Sequence, residues 1–180
     1  MRCVLAVPFL ACLVVPGVMA ADTDNPFHKA KVGDWAEYRM TGPNVEGKTK
    51  MTIVTASDKE VVYQVEATFT AFGQTQTAPV QKITVDLSQP YDAISGANMK
   101  QMGVTMEKVA EGTEKLKIGD KELDTKWTKS KYTTTAGGVT VVSEYKMWVC
   151  KDVPVSGLVR MDSTVGTTTT RVELTAWGQK

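Results

Sequence analysis

Residues 59–72 read KEVVYQVEATFTAF, and this stretch decides the fold class. From Tyr63 to Ala71 every second residue is apolar, and the residues between them are polar. A period of two is that of a β strand with one buried and one solvated face, whereas a helix repeats about every 3.6 residues. The stretch therefore predicts a long β strand.

The same alternation continues on both sides of this strand. It recurs at residues 36–40, 82–87, 139–149 and 171–176, with turn-forming sequences between the runs. One apolar face per strand is typical of an antiparallel sheet, and a flat sheet of about nine such strands would expose a whole apolar face. We therefore predict an all-β domain, or a β domain with one short helix, built as a curled antiparallel sheet with a half-barrel or barrel-like form.

One segment, residues 89–106, departs from the strand pattern. Ser95 can cap a helix, and Met99, Met102 and Met106 share the i, i+3, i+7 spacing of one helix face. The residues just before Met106 favour a strand, so we predict a short helix to about Met102 and then a strand. A stripe of flexible thioethers suits an adaptable cover over a ligand, although such stripes more often serve core packing.

The N-terminus has the pattern of a secretory signal. A basic start precedes an apolar run, and Ala20 supplies the small residue that signal peptidase accepts. The run is shorter than the roughly 20 apolar residues that cross a bilayer as a helix. We expect a cleaved signal at residues 1–20, a flexible arm at 21–31 and a single β domain at 32–180. The mature protein is expected to be periplasmic or extracellular and not an integral membrane protein.

Composition and charge exclude several classes of function. The 180 residues are 42% hydrophobic and 23% charged, and the net charge of +1 disappears when Arg2 leaves with the signal. A neutral protein lacks the basic footprint of nucleic-acid binding. The same cleavage removes Cys3 and Cys12, so Cys150 has no partner for an internal disulfide. Its place beside Trp148 in an alternating run predicts a half-buried, unreactive thiol.

The sequence offers little catalytic chemistry. His28 is the single histidine and lies in the predicted arm, so zinc, copper and iron sites lack their usual ligands. Ser143 and Lys146 have the Ser-x-x-Lys spacing of serine enzymes with a lysine base, but a strand points them to opposite faces. We therefore predict that the protein is not an enzyme and has no cofactor or metal.

Four tryptophans leave two interpretations open: Trp35, Trp127, Trp148 and Trp177. They could line a surface that binds sugar or lipid, or they could close the ends of the curled sheet. Trp148 and Trp177 fall among the polar residues of their strands, which predicts that they lie off the main core.

Two motifs resemble those of small exported bacterial proteins without an assigned activity. Val32-Gly33-Asp34-Trp35 opens the domain, and a Trp…Val-Pro…Gly turn follows at residues 148–157. More distantly, the layout is similar to the periplasmic lipoprotein-carrier half-barrels. That resemblance implies a curled antiparallel sheet whose helix-covered mouth holds acyl chains. This sequence departs from it in having one helix candidate.

The sequence supports two functions. The first is an exported, non-enzymatic protein whose curled sheet binds an apolar or amphipathic ligand, such as a lipid, or the exported segment of a protein partner. The second is a structural or envelope-interaction module with a closed core and no small-molecule ligand. For the first, the predicted lining is Tyr63, Val65, Phe69, Ile83, Val85, Tyr145 and Met147, with Met99 and Met102 above it.

Overall fold

The computed structural model describes residues 26–88, 104–136 and 139–179. A 3-10 turn, η1 (Pro26–Lys29), precedes the first strand. The described strands are β1 (Trp35–Gly42), β2 (Val45–Ala56), β3 (Glu60–Ala71), β4 (Gln74–Thr77), β5 (Gln81–Asp86), β6 (Val104–Ile118), β7 (Lys121–Ala136), β8 (Val139–Val149), β9 (Leu158–Val165) and β10 (Thr168–Gly178). The alternating run at residues 59–72 thus forms β3, as predicted.

All of these strands belong to one antiparallel sheet. Their order is β4-β3-β2-β1-β10-β9-β8-β7-β6, and β5 pairs with β3 along the same edge as β4. The sheet is curled but does not close into a barrel, so β6 lies at one edge and β4 with β5 at the other. The prediction of a curled antiparallel sheet is confirmed, in its open form.

Irregular pairing contributes to the curl. Register shifts interrupt the β1–β10, β2–β3, β6–β7 and β8–β9 pairs. An extra residue in one strand bends that strand and increases its twist. The long β6–β7 hairpin reaches β10 with its tip, where Lys121 Nζ lies 4.6 Å from the ring centroid of Trp177.

One face of the sheet carries the main core, and we call it the inner face. Residues paired directly across antiparallel strands point to the same side of the sheet. One such row crosses six strands through Phe69, Gly47, Met40, Val172, Met161 and Met147. Neighbouring rows on this face hold the buried side chains of Tyr38, Met51, Ile53 and Leu174. The opposite side is the outer face.

Two segments cover the filled part of the inner face. Phe27 of η1 is 1% exposed, and its ring stacks on Tyr63 with centroids 5.5 Å apart. The loop between β8 and β9, residues 150–157, packs on the same side and is buried over most of its length. Within the predicted arm at residues 21–31, the side chain of Phe27 packs against the sheet, because burial of its ring removes apolar surface from water. Residues 21–25 lie outside the described range.

The Val-Gly-Asp-Trp motif forms the turn that leads from η1 into β1. Gly33 has a φ of 93°, which favours glycine. The amide of Lys31 donates to the Asp34 carboxylate at 2.9 Å, and Asp34 is 2% exposed. The motif therefore has a structural role.

The second motif shapes the loop at residues 150–157. Val155 is 1% exposed and has a φ of 74°, and the amide of Ser156 donates to the carbonyl of Pro154 at 3.1 Å. Together these features make a γ-turn centred on a β-branched residue, a conformation that is rare and strained. The buried contacts of the loop outweigh that strain.

The predicted helix up to Met102 lies outside the described residues. The strand predicted after it is β6, and Met106 is part of that strand. Across the described ranges, the protein has no helix with the length and apolar character needed to span a membrane.

Candidate functional site

The described members of the predicted lining lie on the inner face. Tyr63, Val65 and Phe69 alternate along β3, where Tyr63 pairs with Ile83 and Val61 pairs with Val85 of β5. Tyr145 and Met147 alternate along β8. Four strands separate β3 from β8, so these side chains line two wings of one face. Met99 and Met102 lie outside the described residues.

These side chains differ in what they can offer a ligand. Val65 and Met147 are 7% and 3% exposed and form part of the core. Four others are partly buried and pack against that core: Tyr63, Ile83, Val85 and Tyr145. Phe69 is also partly exposed, at the end of its cross-strand row. The role of all of these residues in binding stays a prediction.

The inner face is filled at one end and open at the other. Val165 pairs with Ser143, Ser143 pairs with Tyr132, and Tyr132 pairs with Met106, so this row crosses the open end. Val141 lies two residues before Ser143 on the same face. Val165, Val141 and Met106 are 46%, 44% and 36% exposed. We call the surface formed by these three side chains the open end.

The sequence did not single out the open end. The alternating runs do not include Val165, and the strand predicted after Met102 assigns Met106 to no face of the sheet. The alternation of Val139, Val141 and Tyr145 indicates that they share one face, but it does not indicate which part of that face other segments cover. Covering segments come from distant parts of the chain, so only the folded arrangement separates the filled end from the open one.

Charge is divided sharply between the two faces. In β1–β5 and β8–β10, the register directs every Asp, Glu, Lys and Arg side chain to the outer face. On the inner face, charged groups occur near the β6 edge, where Lys108 forms an ion pair with Glu111. The inner face of these eight strands therefore offers hydroxyl, amide and apolar groups but no charge.

The phenols of Tyr38 and Tyr63 on the inner face are neutral at physiological pH. Burial raises the pKa of Tyr63 to about 12. Burial also raises the pKa of Tyr38, although its hydrogen bond with Ser156 acts in the opposite direction. Both rings therefore remain uncharged parts of the core.

On the outer face, Trp148 is enclosed by charged groups. It is 4% exposed, and its Nε1 donates to Glu114 Oε2 at 2.8 Å. Lys146 Nζ lies 4.4 Å from the ring centroid of Trp148 and 4.2 Å from that of Trp127. Arg160 Cζ lies 4.8 Å from the ring centroid of Trp148. The prediction that Trp148 lies off the main core is wrong, because these side chains bury the ring and it joins the core cluster.

Trp35 and Trp127 cover glycines on neighbouring strands. A Cβ at Gly112 would lie 2.8 Å from Cζ2 of Trp127, and a Cβ at Gly178 would lie 2.5 Å from Nε1 of Trp35. Each glycine pairs directly with its tryptophan across the strands. The indoles thus fill the space that the missing side chains leave, which favours the interpretation that the tryptophans are structural.

Polar side chains on β8 and β9 include Ser143, Lys146 and Asp162. Ser143 lies on the inner face and Lys146 on the outer face, so their spacing brings no base to the serine, as predicted. Asp162 accepts hydrogen bonds from Arg160 and Arg171. Burial opposes ionisation of Asp162, but the hydrogen bonds from Arg171 and Arg160 outweigh it and hold its pKa below the usual value.

Two open depressions lie elsewhere on the described surface. One, of about 440 Å³, is bordered by Arg39, Lys48 and Glu66 on the outer face. The other, of about 330 Å³, lies between η1 and the loop at residues 150–157. Within the three described ranges, no cluster of three or more His, Cys, Asp or Glu side chains could hold a metal ion.

Cys150 opens the loop between β8 and β9. It is 4% exposed, and burial raises the pKa of its thiol. The residue is thus more deeply buried than the half-buried position we predicted. A raised pKa lowers the thiolate fraction, which is the reactive form.

The fold is found in other solved structures, although no family model and no curated protein matches this sequence. A candidate exported protein with a YmcC-like fold from Bacteroides fragilis aligns with a TM-score of 0.53 and 9% identity, covering 83% of this chain and 97% of its own. A candidate lipoprotein from Parabacteroides distasonis aligns with a TM-score of 0.50 and 12% identity, covering 84% of this chain and 98% of its own. These alignments show a shared fold. LprF from Mycobacterium bovis aligns at a TM-score of only 0.37, which does not show one.

Proposed function

We propose that this chain is an exported, non-enzymatic protein that binds an apolar or amphipathic ligand, such as a lipid acyl chain, at the open end of its inner face. The observation that carries the proposal is the exposure of Val165, Val141 and Met106 on a face whose other end is a filled core. Burial of apolar surface contributes about 25 cal/mol per Å². Binding of an acyl chain along these side chains would therefore be favourable without a charged contact.

The chemistry of the face favours binding over catalysis. General acids and bases and metal ligands are mostly charged or titratable side chains. The inner face of β1–β5 and β8–β10 carries no Asp, Glu, Lys or Arg, and burial keeps Tyr38 and Tyr63 neutral. An uncharged surface suits a ligand that is held and not transformed.

Export is the second part of the proposal. Residues 1–20 have the sequence of a cleaved signal. The names of the two fold relatives, a candidate exported protein and a candidate lipoprotein, support the same location. Expression of the full chain in a bacterium should yield a mature protein that begins at Ala21, as measured by intact mass. A product that retains residues 1–20 in the cytoplasm would contradict export.

Adjacent valines on β8 provide a matched test of ligand binding. Val141 and Val142 are 44% and 42% exposed but point to the inner and outer faces respectively. We expect Val141→Glu to weaken binding of the neutral dye N-phenyl-1-naphthylamine by about tenfold or more, because a carboxylate at an apolar contact must lose its hydration. Val142→Glu should leave the affinity for the dye within about twofold of the parent's, since it adds the same charge to the outer face. Dye fluorescence titration measures both.

Two measurements keep this test unambiguous. Circular dichroism and urea unfolding should show that both variants fold as the parent does. Equal weakening by the two substitutions would place the dye site elsewhere and contradict the proposal. If the folded parent bound neither the dye nor any lipid, the result would favour the module with a closed core.

A further inference from the structure

We infer that the ligand of the inner face carries an uncharged, hydrogen-bonding headgroup, as a monoacylglycerol does, and not a phosphate or a carboxylate. The inference rests on the proposed function and adds the chemical class of the ligand. Two features of the described strands carry it, a band of hydroxyl groups and the lack of available charge.

Hydroxyl side chains form a row across four strands beside the open end. Thr170 of β10 pairs with Ser163 of β9, Ser163 pairs with Tyr145 of β8, and Tyr145 pairs with Ser130 of β7. Direct cross-strand partners point to the same side, so the four hydroxyls follow one another on the inner face. Ser143 adds a fifth hydroxyl in the next row, between Val165 and Tyr132.

Three of these hydroxyls are available to a ligand. Thr170, Ser163 and Tyr145 are partly exposed. Within the described part of the chain, their hydroxyl groups take part in no hydrogen bond. A hydroxyl both donates and accepts a hydrogen bond, so the band can bind the hydroxyl and ester oxygens of a neutral headgroup.

The charge distribution around this band disfavours an anion. The strands that supply Thr170, Ser163 and Tyr145 carry their charged side chains on the outer face. Lys108 pairs with Ser130 at the end of the row, but its ammonium group already forms an ion pair with Glu111. An anionic headgroup on the band would lose hydration without gaining a free cation from β8, β9 or β10.

The position of the band sets the pose of the ligand. It lies between the apolar row through Met40 and Met161 and the exposed apolar groups of Val165 and Val141. A headgroup on the hydroxyls therefore leaves the exposed side chains of Val165 and Val141 for a single acyl chain, because Met161 on the other side is only 7% exposed. An amphipathic molecule without charge satisfies both kinds of surface at once.

Three ligands with the same 18-carbon chain test the inference on the mature protein. We expect 1-oleoylglycerol to displace N-phenyl-1-naphthylamine at concentrations about tenfold or more below those needed for oleate or oleoyl-lysophosphatidate, with all three kept below their micelle concentrations. Equal or tighter binding of either anion would overturn the inference while leaving the proposed function intact. Failure of all three lipids and of the dye would overturn both.

Neighbouring residues of β9 provide the matched variants. Ser163→Lys puts an ammonium group into the hydroxyl band, and Thr164→Lys puts one on the outer face, where Thr164 now bonds with Thr169. We expect Ser163→Lys to lower the preference for the neutral lipid by about tenfold, because it supplies the missing cation. Thr164→Lys should preserve the preference. A similar change in both variants would show that overall charge, and not the band, sets the preference, and would contradict the inference.

Discussion

At Tyr38 a single hydroxyl connects the sheet to the loop that covers it. The hydroxyl donates to the carbonyl of Leu158 at 3.3 Å and lies 3.2 Å from Ser156 Oγ. The side chain is 2% exposed, so water cannot replace these partners without opening the structure. Ser156 Oγ in turn accepts a hydrogen bond from the amide of Leu158 at 3.3 Å, so the two partners of the Tyr38 hydroxyl are also bonded to each other.

Removal of this hydroxyl should destabilise the protein measurably. We expect Tyr38→Phe to lower the free energy of unfolding by about 1–2 kcal/mol, since a buried carbonyl and a buried hydroxyl lose a partner. Tyr63→Phe is the control, because the described residues give the Tyr63 hydroxyl no hydrogen bond, and it should change stability by less than about 0.5 kcal/mol. Urea unfolding followed by circular dichroism measures both. Equal effects would mean that the hydrogen bonds at Tyr38 contribute nothing.

At the scale of the strand, much of the fold could be predicted and the covering of the faces could not. The alternation in residues 59–72 and 139–149 gave strands within one residue of β3 and β8, because side-chain direction alternates along any strand. It could not show that Phe27 and the loop at residues 150–157 cover one end of the inner face. Those contacts join segments more than 30 residues apart in the chain, as Phe27 and Tyr63 illustrate.

The same limit explains the outcome at Trp148. Its phase along β8 correctly indicates the outer face, but burial depends on Lys146, Arg160 and Glu114, which come from three strands. The candidate lining shows this as well. Sequence pattern gave the face of Tyr145 and Met147, whereas the open end required knowing where the covering segments stop.

On the outer face, Asp162 links β9 to β10. Its carboxylate accepts two hydrogen bonds from Arg171 of β10, at 2.8 and 3.1 Å, and two from Arg160 of its own strand, at 3.3 and 3.1 Å. These bonds favour the ionised form and hold the pKa of Asp162 below its usual value. The unfolded chain therefore takes up the proton at a higher pH than the folded one.

This linkage predicts how stability depends on pH. A carboxyl whose pKa is lowered in the folded state stabilises that state above the unfolded pKa of about 3.9, and the contribution is lost as the pH falls through the folded pKa. We expect Asp162→Asn to destabilise the protein at pH 7 and to have a smaller effect at pH 3. Urea midpoints at the two pH values provide the measurement. An equal loss at both pH values would show that the ionised carboxylate is not the source of the stability.

At the scale of the whole molecule, one core connects both wings of the sheet. Buried side chains of a single cluster come from η1, from β1–β3, from β6–β10 and from the loop at residues 150–157. Cys150 belongs to this cluster and is 4% exposed. A shared core predicts that the sheet, η1 and the loop unfold as one cooperative unit.

The thiol of Cys150 can report on that unit, because it is the only cysteine in residues 21–180. We expect it to react with an aromatic disulfide reagent about a hundredfold or more slowly in the native protein than in urea, since opening of the core must precede the reaction. The urea dependence of labelling should follow the loss of β circular dichroism. As a control, Ser57→Cys in a Cys150→Ser background places a thiol in an exposed turn and should react rapidly without urea. Labelling of Cys150 well below the unfolding transition would instead show that the loop at residues 150–157 opens independently of the sheet.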